Sequence, residues 1–405
     1  MKILHITAQK PFKTGSGIYV RKVIEQFDKK GFKQAIIAGI SNEEKIDITT
    51  DLSLEKYAVY FNVKEMPFPV IGMSDVMPYE STRYRDLDEN MIDCFTQAFS
   101  RQVMEAVKMF NPDIIICHHL YLLTALTRSL IKDKKIFGVC HGTDLRQLKS
   151  INLKQDFIKD NIRKLDAILA LHNDQKKDIK EYFDIEESNI HVVGSGYDDS
   201  IFYCRDLFDK KEYIKVIYAG KISYSKGLIP LIKAFSSLDI PKDKIKLSLA
   251  GMGNGREYEE ILNTAKESPY KIEFLGNLRQ EDLAEKFRKS DIFILPSFYE
   301  GLPLVLIEAL ASGLHVITSE IPGVRQWLGE KINNSGKIRY VPLPRLTKVD
   351  IPVEEDLPRF ESNIKKEIQQ AIKYINENTY NDNLDVRYLS WRELANRIEK
   401  ILYDF

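Results

Sequence analysis

Glu300 and Glu308 stand eight positions apart in the stretch SFYEGLPLVLIEALASGLHVITSE, residues 297–320. Both carboxylates can hold a proton or accept hydrogen bonds from hydroxyl groups. Glu308, however, falls within PLVLIEALA, where an unpaired charge is costly or titrates away. DIFILPS before it reads as a strand, FYEG as its exit loop, and LPLVLIEALASG as a helix with Pro303 in its first turn and Gly313 closing it. Free backbone N–H groups around Leu304 and Val305 would suit phosphate oxygens. Glu308, inside the helix, needs a partner, and two vicinal sugar hydroxyls can both donate to one carboxylate. A core glutamate paired with a buried lysine or with backbone donors is the alternative on this segment alone.

Three further constellations carry chemistry. In YAGKISYSKGLIPLIKAF, residues 218–235, Lys221 and Lys226 flank a short loop and Gly227 opens a helix. Two cations at a helix start suit a diphosphate, although loop lysines are commonly just solvated. PFKTGSGIYVRKV places Gly15 and Gly17 ahead of a helix, where backbone could approach a phosphate; a lone G-x-G is also an ordinary turn. PDIIICHHLYLL puts His118 and His119 at the end of a strand, and VCHGTD does the same with His141. Alternation along a strand would turn only one of His118 and His119 toward a given ligand. No set of ligands shows zinc spacing, so no metal is expected. Each histidine could equally be a satisfied core residue.

The elements that must position these residues are short apolar runs separated by amphipathic segments. KILHITA, QAIIAG, DIIICHH, KIFGVCH, AILALH and NIHVVGSG read as strands in the first half, and KVIYAG, IKLSLAG, IEFLG, DIFILPS and HVITSE in the second. Their continuous apolar character indicates parallel sheets buried on both faces. IYVRKVIEQFDKKG, LIPLIKAFSSL and REYEEILNTAKES read as intervening helices, so the expected class is doubly wound α/β in two series. The series change near residues 197–213. Residues 62–90 look irregular, an insertion over a cleft. Residues 341–362, with four prolines, look like an exposed loop. The final YLSWRELANRIEKILYDF is a periodic helix.

The 405 residues carry 59 basic and 59 acidic side chains, so a nucleic-acid partner is disfavoured. The N-terminal MKILHITA lacks a secretory h-region, and no run approaches the length of a membrane span. Four cysteines without metal or C-x-x-C spacing, two of them (Cys117 and Cys140) in apolar runs, read as buried free thiols of a reducing cytoplasm. Residues 128–180 hold 13 Lys/Arg against 7 Asp, a local net of +6. That surplus could meet an anionic membrane surface, or form a solvated helical face.

Taken together these segments resemble the family 4 retaining glycosyltransferases of the GT-B type (glycosyl transferases group 1). EGLPLVLIE, Glu300 to Glu308, is similar to the family's E-x7-E signature. GKISYSKG is similar to its G-R-x5-K loop, with Lys221 where arginine is usual, which loses a bidentate fork but keeps the charge. HVVGSGYDDSIF resembles the V-x-P-N-G-V-D segment, with Gly194 and Ser195 replacing Pro and Asn. GSG matches the phosphate-facing glycine loop, DIIICHHLYL the strand whose histidine faces the donor sugar, here His118, and HGTD the neighbouring histidine strand.

The resemblance implies two Rossmann-like domains facing across a cleft. Residues 1–207, completed by a C-terminal helix 386–405, would be the acceptor domain and residues 208–385 the nucleotide-sugar donor domain. It implies a hexosyl-type retaining transfer from a nucleotide-diphosphate sugar to a saccharide or lipid-linked acceptor, in bacterial surface polysaccharide or glycolipid synthesis, with no metal or other cofactor. Lys221 and Lys226, with N–H groups near Gly15, Gly17, Gly301, Leu302, Leu304 and Val305, would hold the diphosphate. Glu308 would accept from the ribose and Glu300 from the sugar, with His118 and Glu300 nearest the chemistry. The location would be cytoplasmic, with a peripheral membrane contact open. A non-catalytic GT-B partner of another transferase is the rival reading, and an epimerase or phosphorylase of the same fold a third.

Overall fold

The computed structural model describes residues 1–46, 53–75, 77–204, 213–300, 302–348, 350–377 and 384–405. The chain divides into two compact units, one of Met1–Ser195 with Trp391–Phe405, the other of Gly196–Ser390. The boundary expected at 207/208 lies outside the described residues. The segment after Ser195 goes with the second unit because Tyr197 pairs with Ser390 and Phe202 packs on Phe287.

In the first unit seven parallel strands form one sheet: β1 (Lys2–Thr7), β2 (Lys33–Ser41), β3 (Leu54–Phe61), β4 (Ile114–His118), β5 (Lys135–Val139), β6 (Ala167–Ala170) and β7 (Ile190–Val192), in the order β3-β2-β1-β4-β5-β6-β7. The β4 run IIICH is buried at every position, as helices on both faces of a parallel sheet require. Strand β3 was not expected. LEKYAVYF is an edge strand with several exposed positions and lacks the continuous apolar signature of its neighbours.

The described part of residues 62–90 is largely irregular, as expected, and it is packed into the unit. Met66, Phe68, Val70, Ile71, Met73 and Tyr84 are buried in the core of this unit, and Tyr84 meets Tyr121 edge-on at 4.6 Å. The C-terminal helix Trp391–Tyr403 closes the unit: Trp391 abuts Tyr19 at 5.6 Å, and Lys30 pairs with Glu399 at 2.6 Å.

The second unit repeats the plan with β8 (Ile214–Ala219), β9 (Ile245–Ala250), β10 (Ile272–Gly276), β11 (Ile292–Leu295), β12 (His315–Ser319) and β13 (Ile338–Val341), ordered β10-β9-β8-β11-β12-β13. Residues 341–362 are an exposed loop only in part. A short antiparallel pair, Leu346–Lys348 with Ile351–Pro352, is followed by a helix from Leu357 to Glu377 whose Phe360, Ile364 and Ile368 reach the core. Among the described residues no helix is long and apolar enough to cross a membrane.

Both strand orders reverse direction once, between β1 and β4 and between β8 and β11. Crossovers leave in opposite directions there, which opens in each unit separately a crevice at the carboxyl ends of its own two strands.

Candidate functional site

Each unit carries a chemistry-bearing cluster at its own reversal point. In the first, the chain leaving β1 turns through Phe12 and enters the helix Gly15–Lys29, with Thr14 as N-cap accepting from the Gly17 N–H at 3.0 Å. Gly17 is sterically required, since a Cβ there would come within 2.6 Å of the Phe12 backbone nitrogen. Gly15 faces open space and carries no such requirement. Ser16 between them receives the Gln9 amide at 2.7 Å and lies 3.2 Å from His119 Nε2.

The alternation argument for His118 and His119 does not hold. Strand β4 ends at His118, and His119 takes a left-handed conformation (φ 73°). The bend is held by the Leu120 N–H donating to Asp144 at 2.9 Å and by the Thr124 hydroxyl donating to the His119 carbonyl at 2.5 Å. Both rings therefore join one cluster, His118 and His119 lying 5.6 and 4.7 Å from His141 by ring centroids. His118 is buried with both nitrogens engaged, Nδ1 to His141 Nε2 at 3.3 Å and Nε2 to His5 Nδ1 at 3.5 Å. A direct contact of His118 with a sugar would need one of these two ring contacts to open. Burial lowers all four rings, His5 to about 4 and His119 and His141 to about 3, with His118 well below the ordinary value, so the cluster is neutral at physiological pH.

The sequence reading missed Asp144. Fully buried, it accepts from the backbone of Leu120 and His141 and from the Cys140 thiol, tying the ends of β4 and β5 together. Its only signal was its place in HGTD. Asp144→Ala would take the acceptor from three backbone N–H groups, those of Leu120, His141 and Leu145, and unfolding in denaturant should show a loss of roughly 2–4 kcal/mol.

In the second unit Gly227 (φ 68°) opens the helix Leu228–Ser236, and a Cβ there would meet the Pro296 carbonyl oxygen at 2.1 Å. That contact, with the Phe298 N–H donating to the Ser225 carbonyl at 3.0 Å, brings the loop after β8 against the loop after β11. Lys226 consequently reaches Glu300 at 2.7 Å, and Ser297 donates to the same oxygen at 2.8 Å. Lys221 is exposed in the same loop. Gly301 lies outside the described residues. Leu302, Leu304 and Val305 pack partly into the core, while the start of the helix Leu304–Ala311, capped by Pro303, takes no side-chain hydrogen bond. Backbone N–H groups of the first turn are thus without a capping side chain.

Glu308 sits in the middle of that helix. Among the described residues its carboxyl forms no ion pair or side-chain hydrogen bond. It retains some surface, yet the protein around it is dense enough that burial, and then the nearby Asp198 charge, push it up to about 7. Among the described residues no three His, Cys, Asp or Glu side chains converge as metal ligands.

Two family descriptions match this chain one after the other, Glycosyltransferase Family 4 over residues 14–201 and Glycosyl transferases group 1 over residues 203–336. The chain belongs to the family 4 glycosyltransferases. This glycosyltransferase is 24% identical over 298 residues to N-acetyl-alpha-D-glucosaminyl L-malate synthase of Bacillus anthracis, covering 69% of this chain and 75% of that one. It is 30% identical over 173 residues to mannosylfructose-phosphate synthase of Agrobacterium fabrum, covering 39% and 38%. The chain spans about half the length of most curated relatives it matches. Its GT-B fold is seen in Anabaena HepE, solved in complex with UDP-glucose, at a TM-score of 0.64, 12% identity and 100% of both chains.

Proposed function

We propose that this protein transfers a hexosyl group from a nucleotide-diphosphate sugar, with retention and without a metal, to a saccharide or lipid-linked acceptor in bacterial surface polysaccharide or glycolipid synthesis. The observation that carries this reading is Glu308, an ionisable group on an apolar helix with no partner among the described residues. Ribose hydroxyls are suitable donors to it, and a ligand that brings its own donors explains why the helix keeps a carboxylate. Lys221, Lys226 and the helix start at Leu304 are assigned to the diphosphate, Glu300 to sugar hydroxyls, and the neutral histidines of the first unit to sugar handling. Lysines and backbone dipoles would stabilise the leaving diphosphate. Same-face attack needs no second carboxylate, unlike hydrolysis by a carboxylate pair. A location at the cytoplasmic face, with peripheral membrane contact, belongs to the same reading, though the basic surplus of residues 128–180 is much paired, for example Lys149 with Asp178, Lys154 with Glu89 and Lys180 with Glu187.

A thermal-shift screen of nucleotide sugars, UDP-glucose included, tests the reading, since a ligand at 100 times its Kd stabilises by about 2.7 kcal/mol. If none stabilises the fold, the non-catalytic partner reading gains. Glu308→Gln should weaken donor binding by roughly 1.5–3 kcal/mol. The sign of its pH dependence follows from the raised carboxyl. Ribose donates to the ionised form, so wild-type affinity should rise as pH increases through about 7, and the variant should be flat. A carboxyl raised in the folded state destabilises that state as pH climbs from its ordinary 4.5 through about 7. Ligand-free Glu308→Gln should therefore be the more stable protein at pH 8, by roughly 1–3 kcal/mol, with little difference at pH 4. An unfolded variant with unchanged donor affinity would make Glu308 structural. Turnover should persist in excess EDTA, because the sequence offers no D-x-D-like pair beside the site. Complete loss restored by magnesium would overturn that part.

A further inference from the structure

Four side chains run in a single row through the first unit: Gln34, His5, His118 and His141. Gln34 is 2% exposed and its amide orientation is settled by Nε2 donating to the Ile24 carbonyl at 3.0 Å. Its Oε1, an acceptor only, therefore faces His5 Nε2 at 3.1 Å. A neutral imidazole has one donor and one acceptor nitrogen, so this contact decides every ring beyond it. His5 must carry its proton on Nε2 and present a bare Nδ1. His118 Nε2, 3.5 Å away, must then be the donor, leaving His118 Nδ1 bare toward His141 Nε2 at 3.3 Å. His141 in turn carries its proton on Nε2. Its Nδ1 is left with a lone pair and, among the described residues, no partner, on a ring that keeps partial solvent exposure. The burial that keeps these rings uncharged makes the relay strict, because no ring can donate from both nitrogens.

We propose that Gln34 is a positioning residue which, through His5 and His118, fixes His141 in the Nε2–H form, so that His141 Nδ1 accepts from a ligand hydroxyl and turns away phosphate and carboxylate oxygens. The ligand half of this proposal rests on the transferase reading, in which a sugar supplies the hydroxyl. The tautomer half does not depend on it.

The experiment is nitrogen-15 NMR of the full chain labelled at histidine, recorded without ligand at neutral pH. His5, His118 and His141 are each expected to show a protonated Nε2 and a bare Nδ1. A protonated Nδ1 on His141 overturns the relay. Gln34→Leu supplies the second reading. It removes the acceptor that holds the proton on His5 Nε2, so the row is no longer fixed in one direction and His141 should show a mixture of its two tautomers. A folded Gln34→Leu protein in which His141 keeps its wild-type tautomer also overturns the relay. Should that variant not fold, the wild-type spectrum decides alone. Free glucose, as the hydroxyl probe, should shift the wild-type His141 Nδ1 resonance, while inorganic phosphate should leave it in place. Any result in which phosphate moves that resonance as much as glucose does, including no shift from either, overturns the hydroxyl assignment. Failure of the tautomer pattern leaves the transferase reading standing, and a nucleotide-sugar screen without hits leaves the tautomer pattern standing.

Discussion

Lys226→Ala is expected to weaken binding of a nucleoside diphosphate by roughly 10- to 100-fold, the range of a lost charge-assisted hydrogen bond. Binding of the bare nucleoside should hardly change. Lys226 is held at 2.7 Å by Glu300, with a second, longer contact of 3.3 Å to the Tyr299 carbonyl. Its ammonium thus has a set position before any ligand arrives. An ammonium has three donors, so a phosphate can join Glu300 around the same nitrogen. The substitution leaves Glu300 with the Ser297 hydroxyl, and the half-buried carboxylate should lose part of its orientation toward a sugar. Turnover should therefore fall further than affinity does. Lys221→Arg, on an exposed side chain of the same loop, should preserve or improve turnover, since a guanidinium grips phosphate bidentately. Isothermal titration with nucleoside and nucleoside diphosphate separates the cases. Equal losses for both would mean that Lys226 does not touch phosphate.

The second large effect is expected at His118. His118→Ala cuts the histidine row between His5 and His141 and should lower turnover by ~10²-fold or more, the scale of lost positioning, with a modest change in nucleotide affinity. His119→Ala should act differently. The residue sits at φ 73°, a strain that histidine and alanine share, so what the substitution removes is the ring that braces Ser16 in the glycine loop. The main loss there should be stability. Turnover, nucleotide affinity and denaturant midpoints for both variants under one set of conditions check this. A dead His119 variant beside a nearly normal His118 variant would move the sugar-facing role to His119.

Much of this architecture was legible in the residues themselves. Runs such as DIIIC and DIFIL read as strands buried on both faces, because they are short, rich in β-branched residues and offer no solvent face. The glycines, lysines and glutamates at strand exits follow a spacing that already resembled the family. Edge strand β3 escaped because an edge is half solvated and mixes charge with apolar residues. The irregularity of residues 62–90 was legible but their burial was not, because it comes from packing on distant elements such as Tyr121, which no local period reveals.

What only the tertiary structure decided is adjacency. Lys226 and Glu300 are 74 positions apart and His118 and His5 are 113 apart, yet each pair meets because sheet order reverses between the strands that carry them. Strand order depends on how helices cover the two faces, a property of the whole unit. The same holds for His119, whose left-handed bend depends on a carboxylate 25 residues further on, and for the proton on His141, which is assigned by the amide of Gln34 at the other end of a row of rings.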